Sequence, residues 1–503
     1  MTVAYERTDY ANMLVKWQRC NDVCDGQDAV HAAGSAYLPH LKDQSEPEYE
    51  AYRDRTPFYN ASWRTIVGLQ GMLFRKPPKV IVPPTVEPML DNIDLSGNSL
   101  HIFSLEVAEE CLKLGRVGIF VDYPDGTQAP TLADAQMQNM RPSMRMYRAP
   151  SIINWKTQTI QNVTKLSMVV LKEVVDVPVD EFQNKDQIQY RVLDLYPKEG
   201  VAKPVYRVRI FEVKTENGIT QDVLKGSYEP MIKGANLYDI PFQFVSVDDT
   251  SWELDEPPLI DLFDMNLSHY RTTADYEHGC HFTGLPTPVI SGFTPENDGQ
   301  KFYIGSMSAW VFPNAQAKAS YLEFTGQGLG SLKSNMDKKE MHMAILGARM
   351  LEAQPKGVES ADTAAIHRGG EQSMLSSVAQ ALSIGFTKAL RVFCDFANAT
   401  GECSMELNRD FFPIPMDALT LTAIIAAWQN SAISYESMFE NLQAAEIVPL
   451  SATAETEQAS IAANPPPLPD VGTTPGSPSP NAPKGKGTPA TPAPTITQLQ
   501  HPK

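Results

Sequence analysis

Apolar residues recur at helical spacing in three long stretches in the second half of the chain. These stretches are Pro257–Phe282, Gly328–Leu351 and Thr363–Ala397. Spacings of three and four residues place apolar side chains on one side of a helix, so each stretch predicts an amphipathic helix, the first about 39 Å long. The apolar stripes are Leu259, Leu262, Phe263, Leu267, Tyr270 and Ala274; Leu329, Leu332, Met336, Met343, Leu346 and Met350; and Leu375, Val378, Leu382, Phe386, Ala389, Phe393 and Phe396.

The segments between these helices differ in character. Thr287–Phe324 contains short apolar runs separated by glycines, which is typical of a small β-structure. Glu352–Asp362 is short and polar and holds Pro and Gly, so it predicts an exposed loop. Gly369 and Gly370 lie near the start of the third helix and predict a kink there. Long helices set side by side around an axis make a wall, so this order of elements suits a subunit that lines a channel.

The first half of the chain predicts helices followed by strands, and such an order indicates an α+β fold. Two further helices and a proline-rich segment from Asn464 onward, which predicts a disordered or extended tail, end the chain. The predicted early helices are Tyr10–Val23, Glu46–Thr56, Pro57–Leu73 and Asn98–Leu114; the strands are Val117–Val121, Lys165–Val175, Ile188–Leu195, Val205–Val213 and Phe242–Val247; the late helices are Pro415–Trp428 and Ser434–Ala445.

Composition narrows the class of protein. A chain of 503 residues is expected to form roughly two to four modules. No apolar run approaches the length of a membrane span, and the N-terminus lacks the pattern of a signal peptide, so we expect a protein used from the cytosol with reduced cysteines. The net charge of −18 argues against ordinary nucleic-acid binding. It still permits an acidic surface past which DNA slides without sticking.

Candidate chemistry is sparse. His278, Cys280 and His281 form a cluster of metal-ligand types, with His269 upstream, but their spacing matches no zinc motif. Cys20 and Cys24 lie one turn apart on a predicted helix, where packing is the simpler interpretation. The chain has no phosphate-binding loop, nucleophile elbow or dinucleotide fingerprint. We therefore expect no enzymatic activity, no catalytic residue, no cofactor and no metal.

Glu109 and Glu110 form an acidic pair on a predicted helix. The pair falls on the polar face of that helix, and solvent exposure is the expected environment for both carboxylates. We therefore expect them to be solvated rather than functional.

Four segments together resemble the portal proteins of tailed bacteriophages, in a portal family long without an assigned function. They are YEAYRDRTPFYNASWRTIVGLQGMLFRKPP at 49–78, GRVGIFVDYP at 115–124, IINW at 152–155 and PPLIDLFDMNLSHYRTTADYEHGCHFTGLPTPVISG at 257–292. They occur in the family's order, and the resemblance covers about residues 8–460.

The resemblance implies a portal fold with a wing, a stem, a clip and a crown. In this sequence, the implied parts are the wing at 1–255, the first stem helix at 256–284, the clip at 285–326, the second stem helix at 327–351, the tunnel loop at 352–362, a kinked wing helix at 363–400, the C-terminal wing or crown region at 401–463 and the proline-rich tail at 464–503.

The function implied by the resemblance is a channel for DNA. Copies of the chain would form a homo-oligomeric ring, a dodecamer of about twelve subunits around one axis, at one capsid vertex of a virion assembled in the host cytoplasm. Its partners would be double-stranded DNA, terminase, major capsid and scaffolding proteins and the head–tail adaptor, with no membrane. The implied tunnel-loop residues are Glu352, Gln354, Lys356, Glu359 and Asp362, and the candidate DNA-facing stem residues are Lys333, Lys338 and Lys339.

Two other interpretations remain at this point. One is a cytosolic metal-dependent enzyme built on His278, Cys280 and His281. The other is a different virion structural protein, such as a capsid or tail-adaptor subunit. The basic stem residues also have a plainer interpretation, which is ion pairing with Asp337, with Glu340 or with acidic residues of a neighbouring subunit.

Overall fold

The chain divides into two units, residues 1–412 and residues 413–503. The computed structural model describes residues 2–124, 139–160, 162–216, 219–284, 287–291, 316, 318–322, 326–349, 374–409, 411, 416, 418–449 and 452–463. No helix among these residues combines the length and the apolar character needed to cross a membrane.

The elements of the first unit confirm the α+β class predicted from the sequence. Its helices are α1 Thr8–Asp25, α2 Gln27–Ala32, α3 Glu46–Arg55, α4 Ala61–Leu73, α5 Leu100–Leu114, α6 Ile260–Gly284, α7 Leu329–Arg349 and α8 Met374–Phe396. Its strands are β1 Lys79–Ile81, β2 Arg116–Asp122, β3 Ser143–Arg148, β4 Ile152–Ile160, β5 Val163–Pro178, β6 Asn184–Tyr196, β7 Val205–Glu216, β8 Ile219–Tyr228, β9 Met231–Ile232, β10 Ala235–Asn236, β11 Phe242–Ser246, β12 Thr287–Ser291, β13 Lys318–Leu322 and β14 Ser404–Glu406.

Local capping chemistry sets the ends of the early helices. Ser45 and Glu48 form a reciprocal capping box at the start of α3. The predicted start of the next helix at Pro57 is wrong, because the side chain of Asn60 accepts a hydrogen bond from the backbone N–H of Trp63 and starts α4 at Ala61. Gly115 ends α5 in the left-handed conformation, as predicted.

A three-stranded antiparallel sheet in the order β11-β2-β3 lies at the centre of the unit. Every residue of β2 is buried, because helices and the second sheet cover it. Helix α8 packs against β11 and β2 with the whole apolar stripe predicted for it, from Leu375 to Phe396, buried. The observed helix starts at Met374, and the predicted kink at Gly369 and Gly370 lies outside the described residues.

The second sheet is an antiparallel meander in the order β4-β5-β6-β7-β8. Each strand pairs with the next one in the chain, so short turns are enough to build it. Strands β5, β6 and β7 were predicted, whereas β3, β4 and β8 were missed. In much of the missed strands, the alternation of apolar and polar residues is weak, because polar residues occupy most of Lys156–Thr159 and Thr220–Asp222.

A buried charged cluster joins the two sheets. Arg191 of β6 donates from Nε to Glu173 Oε1 at 2.7 Å, and its Nη1 lies 3.6 Å from Asp122 Oδ2 of β2. Tyr228 of β8 donates to Asp122 Oδ1 at 3.1 Å, and Tyr147 of β3 donates to Glu173. Burial raises the pKa of Asp122 in spite of Arg191. The guanidinium therefore compensates two buried carboxylates, of which Asp122 also has Arg145 Nε at 3.7 Å from its Oδ2.

The acidic pair on α5 is not solvated as predicted. Glu110 is 2% exposed, and the nearest cation is Arg148, whose Nε lies 3.0 Å from Glu110 Oε1 without hydrogen-bond geometry. Burial raises the pKa of both Glu109 and Glu110. The helix-face pattern failed for Glu110, whose carboxylate is buried beside Arg148 of β3, while Glu109 is half-buried.

The second unit contains short helices. They are α9 Ala418–Gln429, α10 Tyr435–Ala444 and α11 Ala454–Ala463. The predicted cap at Ser434 is confirmed, because its side chain accepts from the backbone N–H of Ser437. Helix α11 was not predicted, and the proline-rich segment from residue 464 lies outside the described residues.

We expect Arg191→Met to destabilise the first unit by about 3–5 kcal/mol, because it leaves Glu173 buried without its counter-charge and Asp122 with only the more distant Arg145. The matched control is Lys225→Met, which removes a half-exposed cation paired with Glu212 and should cost less than about 1 kcal/mol. Urea unfolding followed by circular dichroism measures both. Equal losses for the two variants would contradict the role given to Arg191.

Candidate functional site

Helices α6 and α7 form an antiparallel pair joined by a β-hairpin, and this pair is the candidate functional element. Strand β12 pairs with β13, with Thr287 opposite Leu322 and Ser291 opposite Lys318. The start of α7 lies beside Gly279, near the end of α6, while Lys339 and Glu340 contact residues 268–272. Helix α6 therefore runs away from the rest of the unit, and α7 runs back toward it.

The first half of α6 is buried in the unit. The predicted stripe from Leu259 to Ala274 is confirmed, since each of its side chains is buried. Asn266 lies on the same face and is fully buried. Its Oδ1 accepts from the N–H of Ser62 at 3.1 Å and from Ser62 Oγ at 2.9 Å, and its Nδ2 donates to the carbonyl of Tyr59 at 2.9 Å. One amide thus joins α6 to the start of α4 through both its oxygen and its nitrogen.

Charged side chains fix the flanks of α6 against the N-terminal helices. Arg271 Nε donates to the carbonyl of Tyr37 at 2.8 Å. Tyr52 of α3 donates to Asp275 Oδ1 at 2.8 Å, and Arg19 of α1 pairs with Asp264 at 2.8 Å. Asp264, Arg271 and Asp275 share one side of α6, because they are seven and four residues apart. Their bonds therefore hold that side of α6 against the N-terminal helices and the segment that contains Tyr37.

Polar contacts join α7 to α6. Lys339 Nζ donates to the carbonyl of Ser268 at 2.9 Å and to Thr272 Oγ1 at 2.6 Å. The ammonium of Lys339, one of the candidate DNA-facing residues, is therefore engaged by α6 in the chain as described. Burial lowers the pKa of Lys339. Its hydrogen bonds compensate for the loss of water around the charge.

His269 of α6 contacts Glu340 of α7 in the same region. The two groups lie 3.3 Å apart, between Nε2 and Oε1, and the imidazole is buried while the carboxylate is exposed. Burial lowers the pKa of His269 although Glu340 opposes that shift. A neutral imidazole is thus favoured between the helices, in contact with Thr273 and the ring of Tyr59.

The cluster at His278, Cys280 and His281 lies on the last turns of α6. The ring of His278 packs edge-on against Tyr52 and Phe282, its Nδ1 is buried without a hydrogen-bond partner, and burial lowers its pKa. Within the described ranges, no group of three or more His, Cys, Asp or Glu side chains could hold a metal ion.

The glycine within this cluster, Gly279, has a role in helix packing. A Cβ at that position would meet the side chain of Leu329 at 2.6 Å, which is closer than real Cβ contacts allow. The glycine therefore lets the start of α7 approach α6 closely. Cys20 and Cys24 also follow the packing interpretation, because both are buried and burial raises the pKa of each to about 12.

Helix α7 contacts the unit along one narrow stripe. Leu329, Leu332, Met336, Met343 and Leu346, as predicted, are buried or half-buried. Of the other methionines considered for this helix, Met341 is exposed and Met350 lies outside the described residues.

The opposite side of α7 is apolar in the second half of the helix, whereas Ser334, Asp337 and Lys338 occupy the same side in the first half. Met341 is 66% exposed and Ile345 is 43% exposed. Ala344 and Ala348 are exposed on the same side of the helix. Such a face has no partner among the residues that the structure describes. A surface helix normally carries polar residues on the side that faces solvent.

Lys333 and Lys338 are exposed on α7, and neither forms an ion pair with any residue in the described part of the chain. Pairing with Asp337 or Glu340, the plainer interpretation, is thus not seen for them. The remaining predicted site residues, Glu352, Gln354, Lys356, Glu359 and Asp362, lie outside the described residues.

Sequence reasoning missed the groups that anchor α6. Asn266 had a usable signal, because a polar amide on an otherwise apolar stripe, between Phe263 and Tyr270, indicates a buried hydrogen-bonding role. Arg271 and Lys339 had none, since long basic side chains on a helix are usually solvated. Their partners are backbone carbonyls brought close by the tertiary structure.

Comparison with known families and structures gives limited matches. A family described as a domain of unknown function, DUF4055, matches residues 258–397, which run from the start of α6 to the end of α8. None of the curated proteins matches the chain.

Solved structures similar to the chain are components of gene transfer agent (GTA) particles. One is from the virion of the native GTA particle, with TM-score 0.35 and 10% identity over 82% of this chain and 98% of that one. Others are from the neck of the empty particle computed with C6 symmetry (TM-score 0.34, 8% identity, 75% and 86% covered) and the neck of the native particle computed with C12 symmetry (TM-score 0.34, 8% identity, 76% and 89% covered). At such scores the likeness carries no argument about function.

We expect Asn266→Ala to destabilise the first unit by about 1–3 kcal/mol, because the buried N–H of Ser62 loses its acceptor, whereas the Tyr59 carbonyl keeps its hydrogen bond from the Ala61 N–H. Asn335→Ala, an exposed asparagine on α7, is the matched control and should change stability by less than about 0.5 kcal/mol. Denaturant midpoints of both variants test this. A neutral effect at Asn266 would show that the amide is not an anchor.

We also expect stability to fall as pH decreases below 6.5, the ordinary pKa of histidine. The folded state holds the pKa of His269 below that value, so below pH 6.5 the unfolded chain binds a proton that the folded chain does not. His269→Gln should reduce this pH dependence. The measurement is the urea midpoint at pH values on either side of 6.5, with His101→Gln as the control outside the helix pair. An unchanged pH dependence in His269→Gln would exclude the imidazole as its source.

Proposed function

We propose that this chain is a portal subunit, which forms a ring at the head–tail junction of a phage-like virion and provides a channel for double-stranded DNA. The resemblance of residues 49–78, 115–124, 152–155 and 257–292 to a portal family motivates the proposal. The observation that carries it is the antiparallel pair of α6 and α7, anchored at one end and bare along the outer side of α7.

The two apolar sides of α7 support lateral packing of copies. One side contacts α6 of the same chain, and the other carries Met341 and Ile345 in the open. In a ring, each pair would lie between two neighbours, so both sides of the helix would be covered. Burying a side chain of this size is worth about 1.5–3 kcal/mol, and the same contact would repeat at every interface.

The hairpin of β12 and β13 supports the same arrangement. Its strands pair only with each other among the residues described, and Val289 is exposed. An isolated two-stranded hairpin is marginally stable in water. Contacts with hairpins of neighbouring subunits would stabilise it, which fits the role of a clip at the end of the helix pair.

Charge is compatible with a channel that holds DNA only weakly. The chain carries −18 overall, while Lys333 and Lys338 remain exposed and unpaired within the described residues of α7. We infer that these two lysines, and not Lys339, are the candidates for transient phosphate contact. The tunnel loop at 352–362, with Lys356 among acidic residues, remains the proposed constriction.

The partners of this proposed ring follow from its position. The hairpin end would contact terminase during packaging and the head–tail adaptor afterwards, and residues 1–255 would contact capsid and scaffolding proteins. The ring would perform no reaction of its own, so terminase would supply the energy for DNA movement.

We expect the purified chain to form closed rings with a central hole, and Met341→Asp with Ile345→Asp to abolish them while the monomer stays folded. The reason is that a charge on each residue makes burial of the outer side of α7 unfavourable. The matched control is Asn335→Asp with His342→Asp, which adds the same charges at exposed polar positions of the same helix. Native mass measurement and negative-stain microscopy give oligomeric state and shape, and circular dichroism confirms folding.

Two outcomes would contradict the proposal. A wild-type chain that stays monomeric at high concentration would exclude the ring. Rings that persist in the Met341 and Ile345 double variant would show that α7 does not form the lateral contact.

A further inference from the structure

Two cysteines meet at the end of α8. Cys394 lies on the last turn but one of that helix, and Cys403 lies directly before β14. Their Sγ atoms are 2.7 Å apart, and the residues are 2% and 6% exposed. Both are present as free thiols. Two sulfur atoms that lie in direct contact need very little movement to become bonded, since a disulfide spans about 2.0 Å.

The chain between them is folded back by a fixed turn. The backbone N–H of Ala399 donates to the carbonyl of Cys394 at 3.0 Å, and Asn398 and Gly401 adopt positive φ angles of 55° and 150°. A Cβ on Gly401 would lie 3.2 Å from Pro83. The turn therefore returns the chain to the side of α8 on which Cys394 lies.

Strand β14 is held along α8 by further hydrogen bonds. Thr387 Oγ1 bonds both the carbonyl and the N–H of Met405, at 3.2 Å and 3.1 Å, and the N–H of Leu407 donates to Ser383 Oγ at 2.9 Å. Strand β14 also pairs with β1, with Met405 opposite Val80. The contact between the two sulfurs is thus imposed from both sides of Cys403.

We propose that Cys394 and Cys403 are a reversible disulfide site, which locks the end of α8 to β14 when the protein meets an oxidising small-molecule disulfide such as oxidised glutathione. In the first step, one cysteine thiolate attacks the small disulfide, forms a mixed disulfide and releases one glutathione thiol. In the second step, the other cysteine thiolate displaces the second glutathione thiol and closes the protein disulfide. Two cysteine thiols are oxidised and one glutathione disulfide is reduced to two thiols.

The remaining described cysteines form no comparable pair. Cys20 and Cys24 are one turn apart on α1, Cys111 is buried in α5, and Cys280 is half-buried near the end of α6. Burial, followed by the contact with Cys403, raises the pKa of Cys394 to about 12. The thiolate is the attacking species, so the exchange is slow and depends on local opening of the turn.

The oxidation state of this cysteine pair would differ between the cytosol and the outside of the cell. Thiols stay reduced in the cytosol, and disulfides persist outside the cell. A chain that assembles in the cytosol and then works in a released particle would acquire this bond after release. That consequence rests on the proposed function, whereas the disulfide site itself does not, so the two fail independently.

The experiment uses the full chain, prepared reduced and incubated in its native state with oxidised glutathione. Free thiols are then alkylated in denaturant, and the protein is digested with trypsin. Both cysteines fall in one tryptic peptide, Val392–Arg409, and Glu402 lies between them. We expect this peptide to be lighter by two hydrogen atoms and free of alkylation, and to stay linked after cleavage at Glu402 until reductant is added.

Two variants and a stability measurement complete the test. Cys403→Ser should prevent the loss of hydrogen, and Cys280→Ser should leave it unchanged. Oxidised wild-type protein should unfold at a higher urea concentration than reduced protein, and Cys403→Ser should show no such difference. The proposal is overturned if both thiols of the peptide remain alkylated after native incubation, or if they pair only when the chain is incubated in denaturant.

Discussion

Helix α6 must bury one part of its length and leave the other part accessible, and most of the first unit is arranged around this requirement. Its apolar stripe ends at Ala274, where the helix is still ten residues from its end at Gly284. The buried part needs a partner for every polar group. Asn266 meets that need with bonds to α4 and to the segment before it. The rest of the helix pair can then extend from the buried half of α6, which is held in one orientation.

The second helix of the pair depends on the first. Helix α7 has no core of its own, and Lys339 and Glu340 reach back to α6 at the point where α6 enters the unit. Gly279 lets the other end of α7 approach closely. Helix α7 also packs against α4, where a Cβ on Gly347 would lie 2.9 Å from the side chain of Thr65. Met341 and Ile345 stay exposed on its outer side, and the proposed packing of copies rests on these two residues.

The predicted and observed structures differ where side chains meet partners distant in sequence. The three apolar stripes, the caps at Gly115 and Ser434 and several strands follow from local rules, because period, capping side chains and β-propensity act over a few residues. Glu110 was placed in solvent by the same rules, and Lys339 was assigned to DNA contact or to an ion pair, whereas both are engaged by other elements of the chain. A helical pattern identifies a face but not what packs against it. Weakly alternating strands such as β4 and β8 need their neighbours in the meander to form.

The sequence by itself determined the α+β class, the two long helices around a hairpin, the amphipathic faces and the absence of known phosphate-binding and nucleophile motifs. These depend on the order of residues along one segment. Only the tertiary structure decided which basic residues of α7 remain available, that Asn266 anchors α6, and that Cys394 meets Cys403 across a turn. Each of these is a contact between elements, and its energy depends on distances of a few ångströms that no periodicity encodes.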